Sequence, residues 1–296
     1  MKAQLLKAAA VAAAGLGLSS PPAAHGSAIV HYALNETSGS AADVIGGVTM
    51  SPINQTAAEF GLKYAQPSVP AGTYGAVTLT PAQAANFGTA IAGDSRFPGF
   101  ASFVSGNTPN ALNTLAGPFT ITAWVLPDTF DTIGRILAGT SVTIGTQKSG
   151  WGYGVLTSGR QRFTTYGVKD FDQSSGASAA QDVWQHVAVT YSATATTATV
   201  GMYLNGTLVQ TLTGGPFQTV NPASRMGLFS TGTGSETFAG SIDDVWVYNN
   251  VLTQNEIRTA ATGVEVISTP EPASAAVAGL VGLLALGRRR RAVAAG

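Results

Sequence analysis

The chain contains no cysteine. That excludes disulfides and cysteine nucleophiles, so stability has to come from an apolar core or a bound metal. Charge is sparse as well: Asp, Glu, Lys and Arg supply 10% of 296 residues, and lysine is especially scarce. Histidine occurs three times, and only His31 and His186 lie beyond the leader described below. Neither is accompanied by a Gly-x-Ser-x-Gly elbow, so a hydrolase triad has no local signature. Gly232-Thr233-Gly234-Ser235 lacks a lysine and a following helix, which makes it a turn and not a phosphate loop. No segment repeats at a fixed period. What is present in quantity is Gly, Thr, Ser and Ala, the composition of a β-rich extracellular protein.

Both ends carry targeting patterns. Lys2 and Lys7 precede an apolar stretch from Ala8 to Leu18, then Ser19-Ser20-Pro21-Pro22 and small residues. This is the layout of a signal peptide, assigned to residues 1–26, with cleavage expected between Ala24 and Ala28. At the other end Pro270-Glu271-Pro272 is followed by an uncharged apolar run, 273–287, and then by Arg288, Arg289, Arg290 and Arg291. A helix of that length spans roughly 22 Å, short of the ~20 residues usual for a bilayer core, and snorkelling arginines extend its reach. The arginines place the C-terminus on the cytoplasmic side. A plain tail anchor or a buried core helix would be the simpler reading. The order of motif, apolar segment and arginine cluster over 270–292 resembles the PEP-CTERM sorting tail of bacterial surface proteins. That resemblance implies an exosortase-type processing enzyme as partner, transient anchoring in the inner membrane, and delivery to the cell surface or beyond.

Between the ends, residues 27–262 are expected to form one domain and 263–269 a linker. Over residues 29–269 there are nine basic and fourteen acidic side chains, 9 − 14 = −5, which argues against a nucleic-acid partner. Period-2 alternation dominates. Phe119, Ile121, Ala123 and Val125 share one face of a strand while Thr120, Thr122 and Trp124 share the other. Strands are also expected around 29–34, 75–79, 153–157, 162–168, 184–191, 226–230 and 238–248. A hairpin is expected at Val200 to Leu212 around Asn205-Gly206, a pair suited to a type I′ turn. Thr253 and Glu256 make a capping box for one short helix. Residues 51–113 read as long loops with an extra strand or hairpin.

Three segments then carry a second resemblance: Gly117 to Val125; Trp184 to Tyr191 with Val200 to Gly206; and Gly240 to Tyr248 leading to Leu252-Thr253. A fourth is Tyr32 to Gly39 followed by Ala42-Asp43. In this order they resemble the laminin-G-like domain, an all-β, concanavalin A-like antiparallel β-sandwich jelly roll. Glycosidases on that sandwich place carboxylates as Glu-x-Asp-x-x-Glu on one strand, and this chain has no such pattern. Asp170-Phe171-Asp172 is the nearest carboxylate pair at strand spacing, and its simpler reading is a solvated loop.

The resemblance also implies a structural Ca²⁺ held by Asp43 and Asp243, with Asp244 and Glu36 as substitutes. Asp243 and Asp244 are adjacent in an apolar strand, so strict alternation sends one toward the core. The aromatics Trp151, Tyr153, Tyr166 and Phe171, together with Trp246, are candidates for stacking on sugar rings, against packing in the core. The reading as a whole is a non-enzymatic surface or matrix protein that binds polysaccharide or another surface protein. The alternatives are a glycan hydrolase or lyase on the same fold, and a purely structural component of an exopolysaccharide matrix.

Overall fold

The computed structural model describes residues 26–53, 63–93, 102–130, 133–140, 142–144, 147–216 and 224–267. The expected leader and the sorting tail from Pro270 to Arg291 lie outside the described residues, except that Gly26 is described. Among the described residues no helix is long and apolar enough to cross a membrane.

The strands are β1 (Ala28–Tyr32), β2 (Ser51–Ile53), β3 (Lys63–Pro67), β4 (Gly72–Tyr74), β5 (Val77–Leu79), β6 (Thr89–Gly93), β7 (Ser102–Val104), β8 (Phe119–Pro127), β9 (Gly134–Gly139) and β10 (Val142–Ile144). They continue as β11 (Gln147–Ser149), β12 (Trp151–Val155), β13 (Gln161–Thr165), β14 (Lys169–Asp172), β15 (Gln185–Ala193), β16 (Ala198–Leu204), β17 (Thr207–Gly214), β18 (Met226–Leu228) and β19 (Gly240–Tyr248). Helices α1 (Pro81–Phe87) and α2 (Gln254–Ala260) interrupt them. Sheet I has eight strands in the order β17-β16-β15-β8-β19-β6-β3, with β1 also paired to β19. Sheet II has seven, β14-β13-β12-β9-β18-β7-β2, and β4-β5 and β10-β11 are separate hairpins. The result is a sandwich of two antiparallel sheets.

Alternation builds the core. Phe119, Ile121, Ala123 and Val125 of β8 and Val187, Val189 and Tyr191 of β15 join Trp151, Tyr153, Val155 and Phe163 of sheet II in one buried cluster. Phe119 stacks on Tyr191 at 5.1 Å and meets Trp151 at 5.4 Å, so the two sheets are joined through aromatic rings. The other face of sheet I is also buried, because helices cover it. Ile257, Ala260 and Ala261 of α2 and its C-terminal end, with Phe87 of α1, pack onto Trp124, Trp246 and Tyr248. The Trp124 indole donates to the Ala261 carbonyl at 3.0 Å, which fixes the end of α2 over the sheet. Both helices start at capping boxes, Thr80 with Gln83 and Thr253 with Glu256.

The β16-β17 hairpin closes at Asn205 and Gly206, whose φ values of 50° and 71° are the pair a type I′ turn requires. Residues 51–113 depart from expectation: they contain β2 to β7 and α1, distributed over both sheets and one hairpin. Several of these strands are only three residues long, and three residues are too few to display alternation.

Candidate functional site

The three aspartates read as calcium ligands gather around β1 and β19 but are engaged with protein. Asp43 Oδ1 accepts the main-chain N–H of His31 and of Ile45, both at 2.9 Å, and Oδ2 accepts that of Val48 at 3.0 Å. It therefore caps the loop that follows β1. Glu36 does the same for Ala42 at 2.7 Å. Asp244 Oδ1 meets His31 Nε2 at 2.7 Å, and the imidazole stacks on Trp246 at 3.5 Å and 9°.

Asp243 accepts the Ser68 hydroxyl. The expectation that one of the two adjacent aspartates turns into the core is corrected by a bulge. The register of β19 on β8 shifts between Asp243 and Trp246, and Asp244 takes φ 50°. Ile242, Val245 and Val247 face the core while Trp246 and Tyr248 face the helices, so the bulge switches side-chain parity at Asp244.

The donor set does not fit calcium, which takes six to eight oxygens. Asp43 has both oxygens committed, and among the described residues no three His, Cys, Asp or Glu side chains converge to hold a metal ion. Asp243 Oδ1 and Asp244 Oδ2 are buried without a hydrogen-bond partner among the described residues. Burial first, then the neighbouring Asp244 carboxylate, pushes the Asp243 carboxyl well above the usual range, while the Ser68 bond opposes it.

The aromatic candidates divide. Trp151, Tyr153 and Phe171 are core residues, at most 1% exposed, so they offer no ring face to a ligand. Tyr153 also donates to Gln161 Oε1 at 2.7 Å, deep in the sandwich. Trp246 lies beneath His31 and α2. Tyr166 alone stands outside the core, in the turn between β13 and β14, with its N–H on the Gly150 carbonyl at 2.9 Å.

Tyr166 belongs to the outer face of sheet II, where the register aligns two rows. One runs Asp172, Arg162, Gly154, Arg135 and the other Asp170, Thr164, Gly152, Ala138. Asp170-Phe171-Asp172 is thus a strand and not the expected loop, with Phe171 turned inward. Its carboxylates are held by Arg162, which binds Asp172 through two bonds (Nη2 to Oδ2 2.6 Å) and Asp170 at 3.6 Å. A further bond joins Thr164 to Asp170. Carboxylates committed in this way are poorly placed for general acid–base work.

Beside these rows is a cavity of about 180 Å³ lined by Thr140, Tyr166, Thr231, Thr233, Ser235 and Glu236. Arg135, 3% exposed, donates through Nε to Glu236 Oε2 at 2.6 Å and lies 5.9 Å from the Tyr166 ring centre. Glu236 has φ 54° and accepts the Arg135 main-chain N–H as well, at 2.9 Å. Gly152 is required here: a Cβ would come within 2.8 Å of the Tyr166 hydroxyl and 3.3 Å of Arg135 Nη1. Neither that hydroxyl nor that Nη1 has a hydrogen-bond partner among the described residues, although both are buried. Burial pushes the Tyr166 phenol up to about 12, with Arg135 opposing and Glu236 and Asp170 adding, so it keeps its proton at neutral pH.

Arg135 and Glu236 were not among the residues the sequence singled out. The signal was a lone arginine in the otherwise uncharged strand β9.

Residues 101–258 match the family described as the concanavalin A-like lectin/glucanases superfamily. The chain belongs to this superfamily. No curated protein matches it. Among solved structures, Trypanosoma rangeli sialidase in complex with a difluoro sugar acid is 15% identical, with TM-score 0.47 over 78% of this chain and 31% of that one. The superfamily member described here thus spans about a third of the sialidase's length. The botulinum neurotoxin serotype G binding domain is 13% identical (TM-score 0.49; 78% and 50% covered). Domain 4 of an extracellular arabinanase from Geobacillus stearothermophilus, in complex with arabinotriose, is 16% identical (TM-score 0.48; 80% and 99% covered).

Proposed function

We propose that this member of the concanavalin A-like superfamily is an exported carbohydrate-binding protein of the cell surface or extracellular matrix, and that it binds glycan on the outer face of sheet II without turning it over. The observation that carries the reading is the cavity at Tyr166, walled by hydroxyls and flanked by the Arg135–Glu236 pair. An aromatic ring beside a few placed polar groups is the general composition of a small-ligand site. The pairing of Asp170 and Asp172 with Arg162 favours binding over hydrolysis. Export and sorting by an exosortase-type enzyme rest on the leader and on Pro270 to Arg291.

A glycan array with the purified chain, paired with product analysis on the same polysaccharides, tests this. Selective retention without product is the expected result. Released oligosaccharide would replace the reading with the enzyme alternative. Absence of binding, with co-purification of matrix, would leave a structural component. Since Asp43 is a loop cap, binding is expected to survive a chelator.

A further inference from the structure

We infer that five exposed aliphatic side chains beside β1 and the end of β19 form a patch that rests on the lipid surface holding the C-terminal tail, so that the anchored domain lies on a membrane through the β1 side of sheet I. This rests on the reading of Pro270 to Arg291 as a membrane-directed tail and names a contact surface for the anchored chain.

Among the described residues seven large aliphatic side chains are exposed, and five of them lie on two segments: Val44 and Ile45 after β1, and Val251, Val264 and Ile267 after β19. Exposed aliphatics scattered singly are ordinary, whereas a concentration of them points to a contact surface. The two segments meet across the β1–β19 pair. The Val44 N–H donates to the His31 carbonyl at 3.0 Å, and His31 lies opposite Trp246. Val266 is buried in one cluster with Ala28, Tyr248 and Leu252, which brings Val264 and Ile267 to the same pair of strands. Both backbones are held in place. Asp43 accepts the N–H of Ile45 at 2.9 Å, and Val266 anchors its own segment, so fixed chain presents these side chains to solvent.

The length of chain beyond Ile267 selects the occupant. Five residues separate it from the uncharged run that starts at Ala273. At about 3.3–3.6 Å per residue that tether reaches roughly 20 Å, less than half of the ~45 Å across a compact domain of this length. With the run in a bilayer, the surface around Ile267 is the one that meets lipid, and that surface is the apolar one. So short a tether holds the patch near lipid at high effective concentration, so a few aliphatic side chains suffice. Charge points the same way: segments 26–53 and 244–257 contain no lysine or arginine, and Arg258 is engaged with the Gly206 carbonyl at 3.0 Å. The contact is therefore apolar and independent of anionic head groups. Val266 and α2 belong to the cover of sheet I, so the outer face of sheet II is left clear.

The absence of cysteine makes the test direct, because one introduced thiol takes one label. The full chain is reconstituted into phosphatidylcholine vesicles containing a lipid spin-labelled near the head group, and carries a fluorophore at Val44→Cys, Val264→Cys or Thr233→Cys. All three positions are exposed, and Thr233 serves as the comparison beside sheet II. Labels at 44 and 264 are expected to lose most of their fluorescence to the spin label, and the label at 233 to keep it. High salt or added phosphatidylglycerol should leave this pattern unchanged. Replacing Val44 and Ile45 by serine should reduce quenching at 264 by roughly half, with the melting temperature unchanged. Equal quenching at all three positions, or none at 44 and 264 in an anchored chain, would overturn the contact alone. Disulfide formation between two copies of Val264→Cys without lipid quenching would assign the patch to a second copy and overturn it as well. Protein that washes off the vesicles in alkaline carbonate would overturn the anchor and this inference with it, while leaving sugar binding standing.

Discussion

The two outer faces of this sandwich start from similar strands and end differently. On sheet I the outward row of β8 and β15 contains Trp124, His186 and Ala188, and helices α1 and α2 close over it. On sheet II the outward rows are Arg135, Arg162, Asp170 and Asp172 around glycines, and both described helices lie on the opposite sheet. One face is a second core and the other carries polar groups that reach solvent. The difference teaches that alternation alone does not say which face is wet: that depends on what the chain lays over it, and here only sheet I receives the helices.

The contrast is sharpest where it can be broken by substitution. Trp124→Ala removes the ring that joins α2 to sheet I, and should cost about 3–5 kcal/mol of stability. Chemical denaturation measures it, and a loss under 1 kcal/mol would mean that the helices are not part of the folded core. The next effect is one of pH. His186 lies under the same cover, and burial lowers its imidazole from 6.5 to about 3.

In the unfolded chain that histidine binds a proton below its ordinary pKa, whereas the folded chain does not. Its contribution is therefore complete above pH 6.5 and is lost as the pH falls toward 3, at up to about 1.4 kcal/mol per pH unit. His186→Gln should flatten the stability curve in that window, and parallel curves would contradict the burial argument. Gly206→Ala tests the hairpin beneath α2. Its φ is 71°, and a Cβ would come within 2.7 Å of the Arg258 side chain, so a loss of about 1–3 kcal/mol is expected in thermal melting. On the open face, Asp172→Asn should cost well under 1 kcal/mol despite its close bonds to Arg162, because that pair is solvent-screened.

Much of sheet I was readable before the structure. Long strands such as β8, β15 and β19 carry nine residues each, enough for alternation to show, and Asn205-Gly206 and Thr253-Glu256 announce a turn and a helix by their chemistry. Helix α1 was equally announced, by Thr80, Pro81 and Gln83, but lay in a stretch whose Pro, Gly and Ala content suggested loops. The short strands β2 and β7 had no local signature, since their pairing is set by distant partners, whereas β5 falls within the strand expected at 75–79 and pairs with its neighbour β4.

The site was less legible. Aromatic type singled out five residues, but Trp151, Tyr153 and Phe171 follow the strand parity that directs them inward, and parity could have excluded them. Tyr166 was singled out for its ring, while its contact with Arg135 depends on a turn after β13 and on Glu236, 101 residues away from Arg135 in sequence. The aspartate pair misled because the bulge at Asp244 breaks the alternation from which it was read.

Hydrogen–deuterium exchange of the full chain, with and without a binding neutral polysaccharide, tests the central claim most directly. The account predicts protection at 134–139, 162–172 and 231–237, on and beside sheet II, with exchange at 72–87 and 253–261 unchanged. Protection confined to the helices and the β4-β5 hairpin over sheet I, with none at Tyr166 or Glu236, would contradict it.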